Sequence, residues 1–189
     1  MQGALNTLGQ NAIIAQAAAR KVIGICIIPS IGVASTCATF AAQNYGAGQL
    51  KRITKGINIA NLFSLCCNVV TYLLVFIFGG TIIRFITNTE SSAVIQNGVL
   101  MMRIVVAFIF TQTIVMTYRM SVQSMNQKLI PLLGTGIELL TRCFCALVLT
   151  PAIGFLGICF AEPLSWVVSG LAMVFCYFRV INKELLKSG

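Results

Sequence analysis

The chain has 189 residues, of which 58% are hydrophobic and only 9% are charged, and its mean hydropathy is +0.92. Soluble globular chains carry roughly 25% charged residues, and a domain of this length has too little interior to bury so much apolar surface. The net charge of +9 is no sign of nucleic-acid binding, because the lysines and arginines sit mostly in short gaps between apolar runs, which is a membrane topology signal. We therefore predict an integral membrane protein and expect no nucleic-acid partner.

Residue types needed for common catalytic chemistry are scarce. His is absent from the chain, which removes the usual general base and the commonest metal ligand. All eight cysteines lie in apolar segments, where a free Cys behaves as a small buried hydrophobe, so a disulfide framework is not expected. The sequence predicts no enzyme, no cofactor and no metal site.

The apolar runs predict an all-α, polytopic helix bundle in which residues 1–189 form a single transmembrane domain. A helix needs about 20 apolar residues to cross about 30 Å of hydrocarbon. Residues 1–8 are too short to span and look like the end of a sixth helix, and a polar loop is expected at residues 87–96. We expect about five full spans, at residues 12–42, 57–83, 99–117, 132–150 and 158–181.

The first predicted span carries Pro29 near its middle, which removes a backbone donor and predicts a kink. Small residues at spacings of three and four surround it and allow close helix packing in lipid. The hydroxyl residues of this stretch are Ser35, Thr36 and Thr39. Two interpretations stay open: a plain packing face, which is the commoner of the two, or a kinked helix that lines a cavity.

Polar residues also recur inside the next two spans. Asn61 and Asn68 lie on one face of the second span at helical spacing, together with Asn58 and Ser64. Their side chains need partners in hydrocarbon, so this face must meet protein or water rather than lipid. Gln112 adds a further amide in the third span.

The fourth span contains the one acidic residue well inside a predicted crossing, Glu138, four residues before Arg142. An unpaired charge near a helix centre costs about 2.5–3.5 kcal/mol on insertion scales, and Glu before Arg at this spacing is the favourable order. The pair is either a structural salt bridge or part of a gating or ion-coupling device. Glu162, followed by Pro163, fits the first turn of the last span, where a carboxylate meets a helix N-terminus.

Basic residues predict the orientation in the membrane. Placing the hairpin of Lys51, Arg52 and Lys55 in the cytoplasm, together with a linker over residues 118–131 that carries Arg119, puts eight basic residues inside and three outside. This agrees with the positive-inside rule. The C-terminus is then cytoplasmic, and we expect a multi-pass protein of the plasma membrane. Five spans place the N-terminus outside, and a missing upstream helix would account for that.

Several segments, in this order, resemble the second half of multidrug and toxic compound extrusion (MATE) transporters. They are NTLGQNAIIAQAAAR from Asn6 to Arg20, then Pro29, then QNYGAG followed by LKR, then ELLTR, the turn GFLG, and AEPLSW in the last span. Each motif is weak by itself, but their order and spacing together are fairly specific and cover about Asn6 to Asn182.

This resemblance implies two six-helix lobes related by pseudo-twofold symmetry, with an alternating-access cavity between them. It also implies efflux of organic cations or amphipathic drugs in exchange for Na⁺ or H⁺. The chain would correspond to the last five helices of the second lobe, with Met1 to Leu8 ending the helix before them. In the family, carboxylates on the first helix of either lobe are implicated in ion coupling, and neither helix is present in full. We therefore expect no transport without a first lobe. The expected partners are this missing lobe, the lipid bilayer and the organic cation or drug that is transported.

Other functions are weighed against this resemblance. A flippase for lipid-linked precursors, of related architecture, should show more cationic groups along its cavity, and only Arg103 and Arg142 could serve. An intramembrane enzyme is disfavoured, because it needs clustered acids, His or a Ser/Lys pair at the membrane surface. A non-functional membrane remnant is the remaining alternative.

Within the transporter interpretation, aromatic residues such as Phe40, Phe108 and Phe110 could stack on a cationic drug, although facing lipid is the commoner arrangement. The candidate cavity residues are Pro29, Ser35, Thr36, Thr39, Asn61, Asn68 and Gln112.

Overall fold

The computed structural model describes residues 9–188, with side chains described for residues 9–186. These residues form helices joined by short connections, and no strand occurs among them. We number the helices α1 (Gln10–Gly46), α2 (Leu50–Thr87), α3 (Ser92–Ala107), α4 (Ile109–Ser124), α5 (Leu129–Phe144), α6 (Thr150–Ile153) and α7 (Phe155–Ser188). A π-helical turn, Cys145–Leu149, joins α5 to α6. The predicted end of a preceding helix, residues 1–8, lies outside the described residues.

Four of the described stretches are long and apolar enough to cross a membrane: α1, α2, Leu129–Ile153 and Phe155–Leu186. α3 and α4 pass the same test only together and are bent by 44° at the break between them, and as one span they bring the total to five. The prediction of an all-α membrane bundle is confirmed. α2 has 38 residues, or about 57 Å at 1.5 Å per residue, so its ends extend beyond about 30 Å of hydrocarbon.

The third predicted span, residues 99–117, runs across the break between α3 and α4. Phe108 stands at this break with φ −102° and ψ 5°. Thr111 donates a hydrogen bond from its hydroxyl to the Phe108 carbonyl at 2.7 Å, so a carbonyl next to the break keeps a partner. Neither Pro nor Gly stands at the break, so no residue type in the sequence marks it.

The connection between α2 and α3 is shorter than the loop expected at residues 87–96, since only residues 88–91 lie between the two helices. The polar residues of this segment suggested a loop, but those from Ser92 onward lie on the exposed face of a helix. Val94 and Met101, about two turns apart on α3, are both buried, whereas the exposed Gln96 bonds back to the first residue of the helix.

α1 lies at the centre of the bundle and packs on α2, α3 and α4, whereas α7 packs on α4 and α5. The face of α1 that meets its neighbours is built largely from alanines. Ala15, Ala19, Ala34 and Ala41 are all fully buried. Small side chains let helix backbones approach closely in lipid, where van der Waals packing replaces the hydrophobic driving force. Large apolar residues such as Leu140 are exposed instead, as suits a surface in hydrocarbon.

Two glycines shape the connection between α6 and α7. Gly154 has a φ of +62°, in the left-handed region that favours glycine, and its amide donates to the Thr150 carbonyl at 2.8 Å. A Cβ atom on Gly157 would lie 2.7 Å from the backbone N and Cα atoms of Thr150. The tight turn expected over Pro151 to Gly157 is thus reduced to Gly154, with helix on both sides.

We predict that Gly157→Ala destabilises the protein by about 1–3 kcal/mol, because overpacking against backbone atoms forces the chain to shift. Gly136→Ala is the matched control, since a Cβ atom there meets nothing within 4 Å and alanine is the better helix former. Thermal unfolding in detergent, followed by circular dichroism, should show a lowered midpoint for Gly157→Ala and an unchanged or slightly raised one for Gly136→Ala. Equal midpoints would contradict the close approach of α7 to Thr150.

Candidate functional site

A groove of about 770 Å³ opens between α1 and α2. Its lining is apolar apart from one hydroxyl, and it includes the aromatic rings of Phe40 and Phe63. Phe40 can reach α2 because Gly56 stands opposite: a Cβ atom on Gly56 would lie 2.3 Å from the Phe40 ring. The groove therefore has an aromatic wall that depends on a glycine in the facing helix.

The structure places two of the predicted cavity residues in this groove. Pro29 and Thr36 line it, whereas Ser35 and Thr39 are exposed on α1 and are not part of its wall. Thr36 donates its hydroxyl proton to the Gly32 carbonyl at 3.0 Å, and Thr39 donates to the Ser35 carbonyl at 3.3 Å. Each hydroxyl is satisfied within its own helix and keeps an oxygen that can accept a bond from a ligand.

The other three predicted residues, Asn61, Asn68 and Gln112, lie on α2 and α4, away from the wall of this groove. Each holds one buried amide atom with no hydrogen-bond partner among the described residues: Oδ1 of Asn61, Nδ2 of Asn68 and Oε1 of Gln112. Asn61 is 9% exposed and interacts with the hydroxyl of Tyr118. Buried amides without partners are costly, which makes them candidates for contact with a transported molecule.

A hydrogen bond that the sequence analysis did not anticipate joins α1 to α4. The Thr113 hydroxyl donates to the Ser30 hydroxyl at 2.7 Å, and both residues are buried. Ser30 directly follows Pro29, so the bond holds the proline-containing segment of α1 against the second turn of α4. The only signal in the sequence was a hydroxyl residue on each helix, which does not identify the partner.

Glu138 is the centre of a charged cluster between α4, α5 and α7. Its carboxylate accepts a charge-assisted hydrogen bond from Arg119 and lies 3.9 Å from Arg142. Ser169 on α7 donates to the same carboxylate at 3.4 Å, and Arg142 donates from Nε to the Ser165 hydroxyl at 3.3 Å. The Glu138 side chain is 16% exposed. The predicted pair of Glu138 and Arg142 is therefore present, but it is the weaker half of a larger cluster.

The expectation that Arg119 lies in a linker between helices is wrong. α4 continues to Ser124, and Arg119 lies within it as a partly buried side chain, 22% exposed. Buried Val115 and Val122 show the helical spacing that carries α4 through this segment. Arg119 therefore leaves the count of basic loop residues, although the excess on the predicted inner side remains.

A second ion pair that the sequence did not show joins α1 to α7. Arg20 lies 3.1 Å from Glu162, whose side chain is 13% exposed. The helix N-terminal role expected for Glu162 is wrong, because α7 begins at Phe155, has no acidic residue in its first turn and contains Pro163 in its interior. The Glu162 carboxylate forms a tertiary salt bridge instead. Arg103 donates to the Phe76 carbonyl at 3.0 Å and stacks on the Phe76 ring at 4.3 Å. This contact ties α3 to α2 and engages Arg103 away from the α1 and α2 groove.

The polar and charged residues of the described chain do not gather into a metal-binding cluster. Within residues 9–188, no group of three or more His, Cys, Asp or Glu side chains is placed to hold a metal ion. An apolar groove and buried polar residues in a bundle of membrane-crossing helices are features of a membrane transporter.

The comparison with protein families identifies which class of transporter this is. The family model MatE matches residues 2–148, which is well over half of the chain, so the chain belongs to the MatE family of transporters. The resemblance found in the sequence is confirmed. The match ends within the π-helical turn, so α7 lies beyond it. A comparison with curated proteins finds no match.

We predict that Glu138→Gln destabilises the bundle by about 2–3 kcal/mol, because it leaves Arg119 and Arg142 without their counter-charge inside the helices. Glu90→Gln makes the same chemical change at an exposed residue between α2 and α3 and should leave stability unchanged. Thermal unfolding of both purified variants in detergent measures the difference. A Glu138→Gln midpoint equal to that of Glu90→Gln would show that the cluster contributes nothing to the fold.

Proposed function

We propose that this chain forms part of a secondary active antiporter that exports organic cations or amphipathic drugs in exchange for Na⁺ or H⁺. Family membership supports transport as such. The observation that carries the substrate class is the groove between α1 and α2, whose lining combines Phe40, Phe63 and the hydroxyl of Thr36.

The groove suits a lipophilic cation for physical reasons. Its volume of about 770 Å³ lies within the range of about 300–1,000 Å³ that is usual for small-molecule sites. Aromatic faces attract cations through the ring quadrupole, by about 2 kcal/mol or more where water is excluded. No Lys or Arg stands among the described lining residues, so nothing there repels a positive charge. A broad apolar wall with few directional contacts tolerates different drugs.

The same lining argues against a flippase for lipid-linked precursors. Such a substrate carries phosphates and requires basic groups along its path. Arg103 is engaged with Phe76, and Arg142 bonds to Ser165 and lies beside Glu138. Neither is a lining residue of the groove.

We further propose that transport requires a second six-helix lobe. The groove is built from one side only, by α1 and α2, and the exposed hydroxyl residues Ser35 and Thr39 lie on the same helix. A facing lobe would close the groove into an alternating-access cavity and supply carboxylates for ion coupling. The bilayer in question is the plasma membrane, with the Lys51 hairpin and the C-terminus on the cytoplasmic side.

Cells that express the chain alone should accumulate a fluorescent organic cation as fast as cells with an empty vector. Co-expression with the first lobe of a MatE-family transporter should restore efflux, because the cavity then has both walls. Dye accumulation, with membrane abundance measured by immunoblot, checks both arms. Efflux by the chain alone would refute the need for a second lobe, and rapid degradation in both arms would favour a non-functional remnant.

In the co-expressed pair, Thr36→Val should lower the efflux rate about fivefold, the equivalent of one lost hydrogen bond of about 1 kcal/mol. Thr135→Val is the matched control. Thr135 on α5 is also exposed and also donates to a carbonyl four residues earlier, that of Pro131 at 3.1 Å, but it lies outside the groove. Equal efflux by the two variants would rule out Thr36 as a substrate contact.

The proposed orientation is tested separately by cysteine labelling in a background from which the native cysteines have been removed. A membrane-impermeant maleimide added to intact cells should modify Glu90→Cys and leave Gln49→Cys unlabelled until the cells are permeabilised. Both positions lie at exposed helix connections. The reverse pattern would show that the protein is inverted.

A further inference from the structure

A second groove, of about 590 Å³, lies between the first turns of α2 and the last turns of α7. Its polar side chains are concentrated at one end, where Lys51 and Lys55 of α2 are joined by Asn58 and by Asn182 of α7. This groove is distinct from the one between α1 and α2, since the two share only Ile59. It has no part in the transport proposal.

The basic end of this groove holds two lysines, and the described residues form no ion pair with either of them. No carboxylate among the described side chains lies within salt-bridge distance of Lys51 or Lys55. The carboxylate next to the groove along the chain is that of Glu184, which follows Asn182 on α7 and accepts a hydrogen bond from the Tyr45 hydroxyl at 3.3 Å. The first turn of α2 contains no acidic residue, so the positive end of the helix dipole adds to the potential of the lysines. The site therefore attracts an anion.

The other end of the groove is apolar and lies deeper along α2. Leu62 and Phe178 are part of its wall, and Leu62 stands about 16 Å along the helix axis from Lys51 at 1.5 Å per residue. α2 is longer than the hydrocarbon is thick, which leaves its basic first turns room to reach the membrane edge, whereas Leu62 belongs to the mainly apolar remainder of the helix. A groove with a basic end and an apolar wall beneath it is complementary to a phospholipid, which has a charged headgroup and apolar acyl chains.

We propose that this groove binds an anionic phospholipid. The phosphate lies between the ammonium groups of Lys51 and Lys55, where basic residues near a membrane surface attract anionic lipid. The amides of Asn58 and Asn182 donate hydrogen bonds to its oxygens, and one acyl chain follows the wall past Leu62 and Phe178. The phosphate supplies the charge preference, and the acyl chain distinguishes a lipid from a free phosphate ion.

The test uses the whole chain in detergent and native mass spectrometry with phosphatidylglycerol or phosphatidylcholine of identical acyl chains. Wild type should bind phosphatidylglycerol at least tenfold more tightly. Lys51→Gln with Lys55→Gln should weaken phosphatidylglycerol binding about 30-fold, at about 1 kcal/mol per basic residue near the surface and 1.4 kcal/mol per tenfold change. Lys51→Arg with Lys55→Arg keeps both charges and should stay within about threefold of wild type.

Lys21→Gln with Arg84→Gln is the matched control, because it removes the same charge from exposed residues outside this groove. It should stay within about threefold of wild type. Equal weakening of phosphatidylglycerol binding in this control would show that the lipid is attracted by net charge and not by this groove, and would overturn the proposal. Equal affinity of wild type for both lipids would overturn it too, as would displacement of the lipid by glycerol 3-phosphate at the lipid's own concentration. Size-exclusion chromatography establishes that each variant is folded.

Discussion

The constraint on which this structure depends is that hydrocarbon offers no partner to a polar group. Every hydroxyl, amide or charge within a crossing helix must find its partner in the bundle or reach the membrane edge. The hydroxyls of Ser64 and Thr71 bond to carbonyls of their own helix, which is the cheapest solution. The hydroxyls of Ser30 and Thr113 bond to each other across helices, and that solution also fixes the position of α1 against α4.

Two different kinds of contact follow from this constraint. α1 is held at the centre mainly by alanines that let backbones approach. The bond between Ser30 and Thr113 and the salt bridge of Arg20 with Glu162 add two polar contacts. α5 buries only Gly134 among its residues, so apolar packing alone holds it poorly. It is attached instead by polar contacts: the Ser169 hydroxyl shares its one proton between the Gly134 carbonyl at 3.3 Å and the Glu138 carboxylate at 3.4 Å, and Glu138 binds Arg119. The ion pair of Glu138 thus attaches α5 to the bundle, as close packing of alanines attaches α1.

The reach of the sequence has a clear physical limit. Hydropathy predicts crossing helices because the thickness of the bilayer imposes a length on every one of them. The pair of Glu138 and Arg142 was also predictable, since residues four apart on a helix are neighbours whatever the tertiary fold. Arg119 is 19 residues from Glu138, and no local rule joins them. Its position next to predicted loop residues favoured the wrong assignment. The break at Phe108 was missed for a similar reason, because it has no Pro or Gly to announce it.

The distinction between satisfied and unsatisfied polar atoms separates framework from candidate site. The Glu138 carboxylate has three partners, which makes it an anchor and leaves it little freedom to exchange an ion. Asn61, Asn68 and Gln112 each hold a buried amide atom without a partner among the described residues. Arg119 Nε and Ser121 Oγ are likewise buried without a partner, and both residues follow Gln112 on α4. A bundle that satisfies most of its polar groups yet leaves several of these atoms on α2 and α4 keeps unused hydrogen-bonding capacity there, and each such atom calls for an explanation. The amides of α2 and α4, unlike the Glu138 carboxylate, are therefore groups whose hydrogen bonding the described residues leave incomplete.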